Sequence, residues 1–138
     1  MTIQEAKKEL GSIRNIYNKC VRQKAKLDEL RSKFYSLSGI DFTKERVQGG
    51  GEDDWKFELL CKIDEIERGI AADILEMEKR TQAVQDKIYK LPFPYNEVLA
   101  KRYIDFKRYE EIAVEMLYSF SGVNSIIYRG IQMYAGKR

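Results

Sequence analysis

The apolar positions of this chain form two long stripes, a break, and three short stripes towards the C-terminus. Between residues 2 and 35, Ile3, Ala6, Leu10, Ile13, Tyr17, Cys20, Lys24, Leu27, Arg31 and Phe34 follow at spacings of three and four. That is the a/d seam of a heptad-patterned helix. Lys24 and Arg31 interrupt it with charge, and Leu30 and Leu37 point to a shift of the stripe late in the helix. Between 53 and 91 a second seam runs through Leu59, Ile63, Ile66, Ile70, Ile74, Met77, Thr81, Val84, Ile88 and Leu91, with a stutter at 66–70–74. Asp53 or Asp54 is placed to cap its start. At about 1.5 Å per residue the two rods reach roughly 50 and 60 Å. Residues 36–52 carry three consecutive glycines and no periodicity, which predicts a mobile connection across which the rods pair antiparallel. One narrow stripe per helix leaves such a hairpin marginal alone, so a homodimer through the long helices is expected.

Leu91-Pro92-Phe93-Pro94 ends the second rod, because proline lacks the N–H and disfavours helix in the residue before it. Pro94 suits the first position of the next helix, and the chain divides here into 1–91 and 92–138. Beyond the break Val98, Leu99 and Tyr103 give a first short apolar face. Tyr109, Ile112, Ala113 and Met116 give a second, with Glu110, Glu111, Val114 and Glu115 turned outward. Leu117 to Ser121 is a tight turn holding two helix N-cap candidates, Ser119 and Ser121. Val123, Ile126, Ile127, Ile131 and Tyr134 then form the last stripe. Two short helices joined by a tight turn describe a helix-turn-helix, in which the small Ala113 lets the second helix cross closely. The fold class expected is all-α: a long antiparallel, coiled-coil-like hairpin followed by a small three-helix helix-turn-helix domain.

The face of the last helix opposite its apolar stripe carries Ser121, Ser125, Tyr128 and Gln132, flanked by Asn124 and Arg129. Short or hydrogen-bonding side chains of this kind are what a recognition helix over about 121–135 presents to base edges in a major groove. Ser121, Asn124, Ser125, Tyr128 and Gln132 are therefore the base-edge candidates. Lys101, Arg102, Lys107, Arg108, Arg129, Lys137 and Arg138 are the candidates for phosphate. No acidic residue follows Glu115, as a surface meant for a polyanion requires.

Charge sharpens this picture. The net +3 of the 138 residues divides into nine Lys/Arg against four Asp/Glu over 1–35, nine against thirteen over 36–91, and seven against five over 92–138. Rods of opposite sign attract, but exposed pairs contribute little each, so the pattern selects a partner more than it stabilises a fold. The chain has no His and only Cys20 and Cys61. That removes His-based acid–base chemistry and leaves too few ligands for a zinc site or a disulfide framework. Neither a long apolar run nor a signal-peptide core is present in the sequence, so a cytoplasmic protein without membrane contact is expected.

Residues 95–134, YNEVLAKRYIDFKRYEEIAVEMLYSFSGVNSIIYRGIQMY, resemble region 4 of sigma-70-type factors, which reads the promoter −35 element. The likeness lies in the RYI helix end, the YEEIA helix, the YS turn and a recognition helix of the form V..I..R.I. The whole chain is similar to a family of small phage and prophage proteins from Gram-positive bacteria, in which a helical N-terminal half leads through a proline break into the same tail. The family pattern usually has Gly where this chain has Leu117, and Ser-Thr-Val where it has Ser121-Gly122-Val123. Gly122 and Gly130 each weaken the last helix by up to ~1 kcal/mol relative to Ala. The resemblance implies a phage or prophage transcriptional regulator that binds double-stranded DNA, with RNA polymerase as a further candidate partner and no cofactor. A second expectation is a phage packaging or assembly adaptor, or scaffold, acting through its rods. Catalysis is not expected: Glu110, Glu111 and Glu115 lack a phosphate loop or a nucleophile–base pair beside them and read as a solvated face.

Overall fold

The computed structural model describes residues 1–39 and 50–136, with side chains for 1–36 and 54–136. Every regular element among them is helical: α1 (Ile3–Gly39), α2 (Gly50–Tyr89), α3 (Tyr95–Leu99), a π-helical turn (Ala100–Ile104), α4 (Tyr109–Met116) and α5 (Phe120–Tyr134). None of the described helices is long and apolar enough to cross a membrane.

Both long helices run further than the periodicity implied. α1 continues to Gly39, and α2 begins at Gly50, so positions 53 and 54 lie inside the helix and neither caps it. The expected connection 36–52 is thus helical at both ends, and its remainder, 40–49, lies outside the described residues. Thr2 starts α1, its Oγ1 accepting the N–H of Glu5 at 3.1 Å. α2 closes with a tightened turn, in which the N–H of Leu91 donates to the Ile88 carbonyl at 3.0 Å, and Pro92 follows. Pro94 is the cap of α3 and stands just before its first residue.

The seams also differ in detail from the heptads. On α1 the covered line passes through Gln23 and Leu30, while Lys24 and Arg31 are exposed. The shift begins before Lys24, and both charges escape the seam. On α2 it is Asp73 that turns inward and Ile74 that is exposed, so the stutter falls at 73–77–81, two turns later than the apolar letters suggest. A repeat one residue short on α1, at 10–13–16, and one residue long on α2 rotates the stripe, and a narrow seam then takes whichever side chain the rotation presents.

The described chain forms two compact units, Met1–Tyr17 with Glu76–Arg138, and Asn18–Leu75. In the first unit, Ala6, Leu10 and Ile13 of α1 and Val84 and Ile88 of α2 share one core with Val98, Leu99, Ile112, Val123, Ile127, Ile131, Tyr134 and Ala135. The core runs unbroken past Pro92. Gly130 is needed inside it: a Cβ at this position would meet Leu99 Cγ and Cδ1 at 3.2 Å. The helix propensity lost at this glycine is exchanged for close approach of α5 to α3. In the second unit the core is Leu27, Leu30 and Ile63, with Phe34, Leu59, Ile66 and Ile70 around it. The two helix segments there run antiparallel, as the ion pairs Lys19–Asp73 and Arg31–Glu67 establish.

Candidate nucleic-acid interface

α4 and α5 lie in the first unit, and their boundary is set by local chemistry. Glu111 reaches back so that its Oε1 accepts from both the backbone N–H and Nε of Arg108, at 3.4 and 3.0 Å. Arg108 has no acceptor to offer in return, so only the acidic half of a capping box is made. The Arg108 hydrogen bond holds the Glu111 carboxyl below its usual range. At the other end of α4, Leu117 closes the helix in the left-handed conformation, at φ 60° and ψ 40°. This is the position where glycine is ordinarily found. The Leu117 side chain packs on nothing and is 90% exposed. Ser119 then caps α5, its Oγ accepting the N–H of Gly122 at 3.0 Å.

Because Val123, Ile127, Gly130, Ile131 and Tyr134 are buried, the helical period fixes what the other side of α5 displays. Ser121, Asn124, Ser125 and Tyr128 are exposed, Tyr128 at 56%, and Gln132 is half-buried. All five base-edge candidates therefore lie away from the core. Ser121 Oγ is 3.3 Å from that of Ser119, so this hydroxyl already has a partner.

The basic candidates do not form one free set. Glu115 gathers two of them: Lys101 Nζ lies 2.8 Å from its Oε2, and Lys107 pairs with its Oε1. Lys101 also stands 3.7 Å from Glu97. The hydrogen bond from Lys101, joined by that from Lys107, lowers the Glu115 pKa, and Lys101 is raised in turn. Arg108 is held by Glu111. Arg102 donates to the Lys107 carbonyl at 3.0 Å and lies 4.6 Å over the ring of Tyr109, bracing the segment before α4. Arg129 is exposed, and among the described residues no carboxylate pairs with it. Lys137 and Arg138 lie outside the described residues.

Sequence reasoning passed over Phe120. It is half exposed at the first turn of α5, and its ring lies 5.8 Å from that of Tyr109. With Leu117 it places apolar surface beside the polar face of α5. The signal was available: the leucine at the turn position and the phenylalanine after an N-cap serine lie on neither apolar stripe. On the outer side of α4, Glu110, Glu111, Val114 and Glu115 line a shallow hollow. No protein-family model, curated protein or solved structure matches the chain.

Proposed function

We propose that the protein binds double-stranded DNA through α4, the Leu117–Ser119 turn and α5, used as a helix-turn-helix of the sigma-70 region-4 kind. Its role would be that of a phage or prophage transcriptional regulator working in the cytoplasm. The observation that carries this reading is the outer face of α5, where Ser121, Asn124, Ser125, Tyr128 and Arg129 are all exposed on a helix without a carboxylate. Side chains of this type and spacing suit base edges and phosphate. The phosphate contribution centres on Arg129, because Lys101, Lys107 and Arg108 must first leave Glu115 and Glu111. RNA polymerase is a candidate partner for the same head, and the long helices join subunits.

The experiment is selection of duplexes from a random library with the purified chain, followed by titration of the enriched sequence at two salt concentrations. Tyr128→Ala should relax base preference by about 1–3 kcal/mol at the positions it reads. Arg129→Ala should weaken all duplexes alike and reduce the salt slope by about one, a larger change than Lys101→Ala gives. Wild-type affinity and salt slope in a Tyr128→Ala/Arg129→Ala double variant would remove the reading.

A second reading, an assembly adaptor or scaffold working through α1 and α2, is favoured by the large apolar side chains that stay exposed between residues 18 and 75.

A further inference from the structure

In the unit Asn18–Leu75, the seam between α1 and α2 does not account for all the apolar surface. Val21 and Tyr35 on α1, and Phe57, Leu60, Ile74 and Leu75 on α2, are exposed by roughly half or more. At 100° per residue, Tyr35 lies about 110° and Val21 about 150° to one side of the middle of the Leu27–Leu30 line. In the same rotational sense Ile74 lies about 50°, Leu60 about 90°, and Phe57 and Leu75 about 150° from the middle of the Ile63–Ile66 line. Because the two segments are antiparallel, equal senses of rotation bring Tyr35, Leu60 and Ile74 to one face of the pair, with Val21, Phe57 and Leu75 at its outer edges. The pairs Lys19–Asp73 and Arg31–Glu67 bracket the register, and its midpoint sets which residues lie level. On that register Val21 stands level with Ile74 and Leu75, and Tyr35 with Leu60. Two apolar layers thus bracket a charged one, where Arg31 and Glu67 meet at 2.7 Å across a seam with solvent on its outer side.

Charge identifies the occupant of this face. Residues 18–36 carry six Lys/Arg against two Asp/Glu, and residues 54–75 carry three against six. A complementary surface must therefore be negative over α1 and positive over α2. It must also be apolar at the same two heights. A second copy of this segment meets those conditions when it is turned about a two-fold axis running along the helices. That operation lays α1 of each copy antiparallel over α2 of the other, at unchanged height. Basic α1 then faces acidic α2, Tyr35 meets Leu60, and Ile74 is covered with Val21 at its edge. A two-fold axis across the helices would instead stack α1 on α1 and α2 on α2, with like charges opposed. We infer that residues 18–75 dimerise into a four-helix bundle by the first of these operations.

This inference is independent of the DNA reading, since its test contains no nucleic acid. Sedimentation equilibrium of the full chain at micromolar concentration should give twice the monomer mass. Leu60→Glu/Ile74→Glu should give the monomer mass with unchanged helical circular dichroism, as both side chains are exposed in the single chain. A monomeric wild type overturns the inference, as does a dimer indifferent to that variant. Should the variant lose helicity, a charge exchange decides. Arg31→Glu and Glu67→Arg chains should each dimerise weakly alone, and on mixing should form the heterodimer preferentially by native mass spectrometry. A statistical mixture excludes the α1-over-α2 arrangement.

Discussion

Residues 6–13 and residues 27–30 belong to one helix and one apolar stripe, yet they are covered differently. Ala6 and Leu10 are completely buried, whereas Leu27 and Leu30 keep 6% and 8% of their surface. In the first unit α3, α4 and α5 share the core with the ends of the long helices. In the second, two helix segments have only each other. A heptad seam covers a strip along each helix, and a further layer is what completes burial. The second unit also places polar groups in that strip. Gln23 Oε1 and Asp73 Oδ2 are buried and make no hydrogen bond among the described residues. Lys19 Nζ comes within 3.4 Å of Asp73 Oδ2 as an ion pair without hydrogen-bond geometry. Such a polar stretch stabilises less than the apolar one it replaces.

The largest test of the contrast is truncation in each core. Leu99→Ala removes a fully buried side chain with neighbours on every side and should cost about 2–5 kcal/mol in urea denaturation. Leu30→Ala, at the edge of a two-helix seam, should cost less than half as much at concentrations where the chain is monomeric. Equal losses would erase the distinction between the units.

Acid should sharpen the contrast through Glu9. Burial pushes its carboxyl up. The hydrogen bonds from Lys87 Nζ (2.8 Å) and Tyr134 Oη (2.9 Å), with the Lys87 charge, together outweigh burial and set the pKa below the ordinary 4.5. Tyr134 is itself raised, by burial first and then by Glu9. A carboxylate whose folded pKa is depressed contributes stability that is fully present above its unfolded value and lost as pH falls through the folded one. Urea midpoints should therefore decline below about pH 4.5, and Glu9→Gln should flatten that part of the decline. A variant that follows the wild-type curve would show that this cluster does not link folding to protons.

The smallest effect concerns two residues with the same strained backbone. Phe106 and Leu117 both have φ 60°. Phe106 has packing to offset the strain, its ring lying 5.2 Å from Tyr17 and 5.6 Å from the Arg14 guanidinium. Leu117 has none. Leu117→Gly should stabilise by up to ~1 kcal/mol and Phe106→Gly should destabilise, read as opposite shifts in thermal midpoint. Stabilisation by both would mean that the Phe106 contacts contribute nothing.

What local pattern controls was legible along the chain. The stripes of α4 and α5, the cap at Ser119, the stop at Pro92 and the outward face bearing Ser125 and Tyr128 follow from spacing and from residues with one dominant local role. The ends of the long helices were less so. Serine, aspartate and glycine at 36–39 and 50–54 are poor helix signals, but a growing helix adds each further residue cheaply once nucleated. The free or tied state of the basic residues was not legible at all. Whether Lys101 meets solvent or Glu115 depends on where a residue fourteen positions away arrives in space.

By itself, the sequence determined an all-helical chain and the polarity of each helix face, because periodicity and capping act over a few residues. Tertiary structure alone decided that Gly130 admits Leu99, that Asp73 enters a seam Ile74 leaves, and that Glu115 collects Lys101 and Lys107. Those outcomes depend on the rotation and approach of whole helices, which are fixed when many contacts are satisfied together.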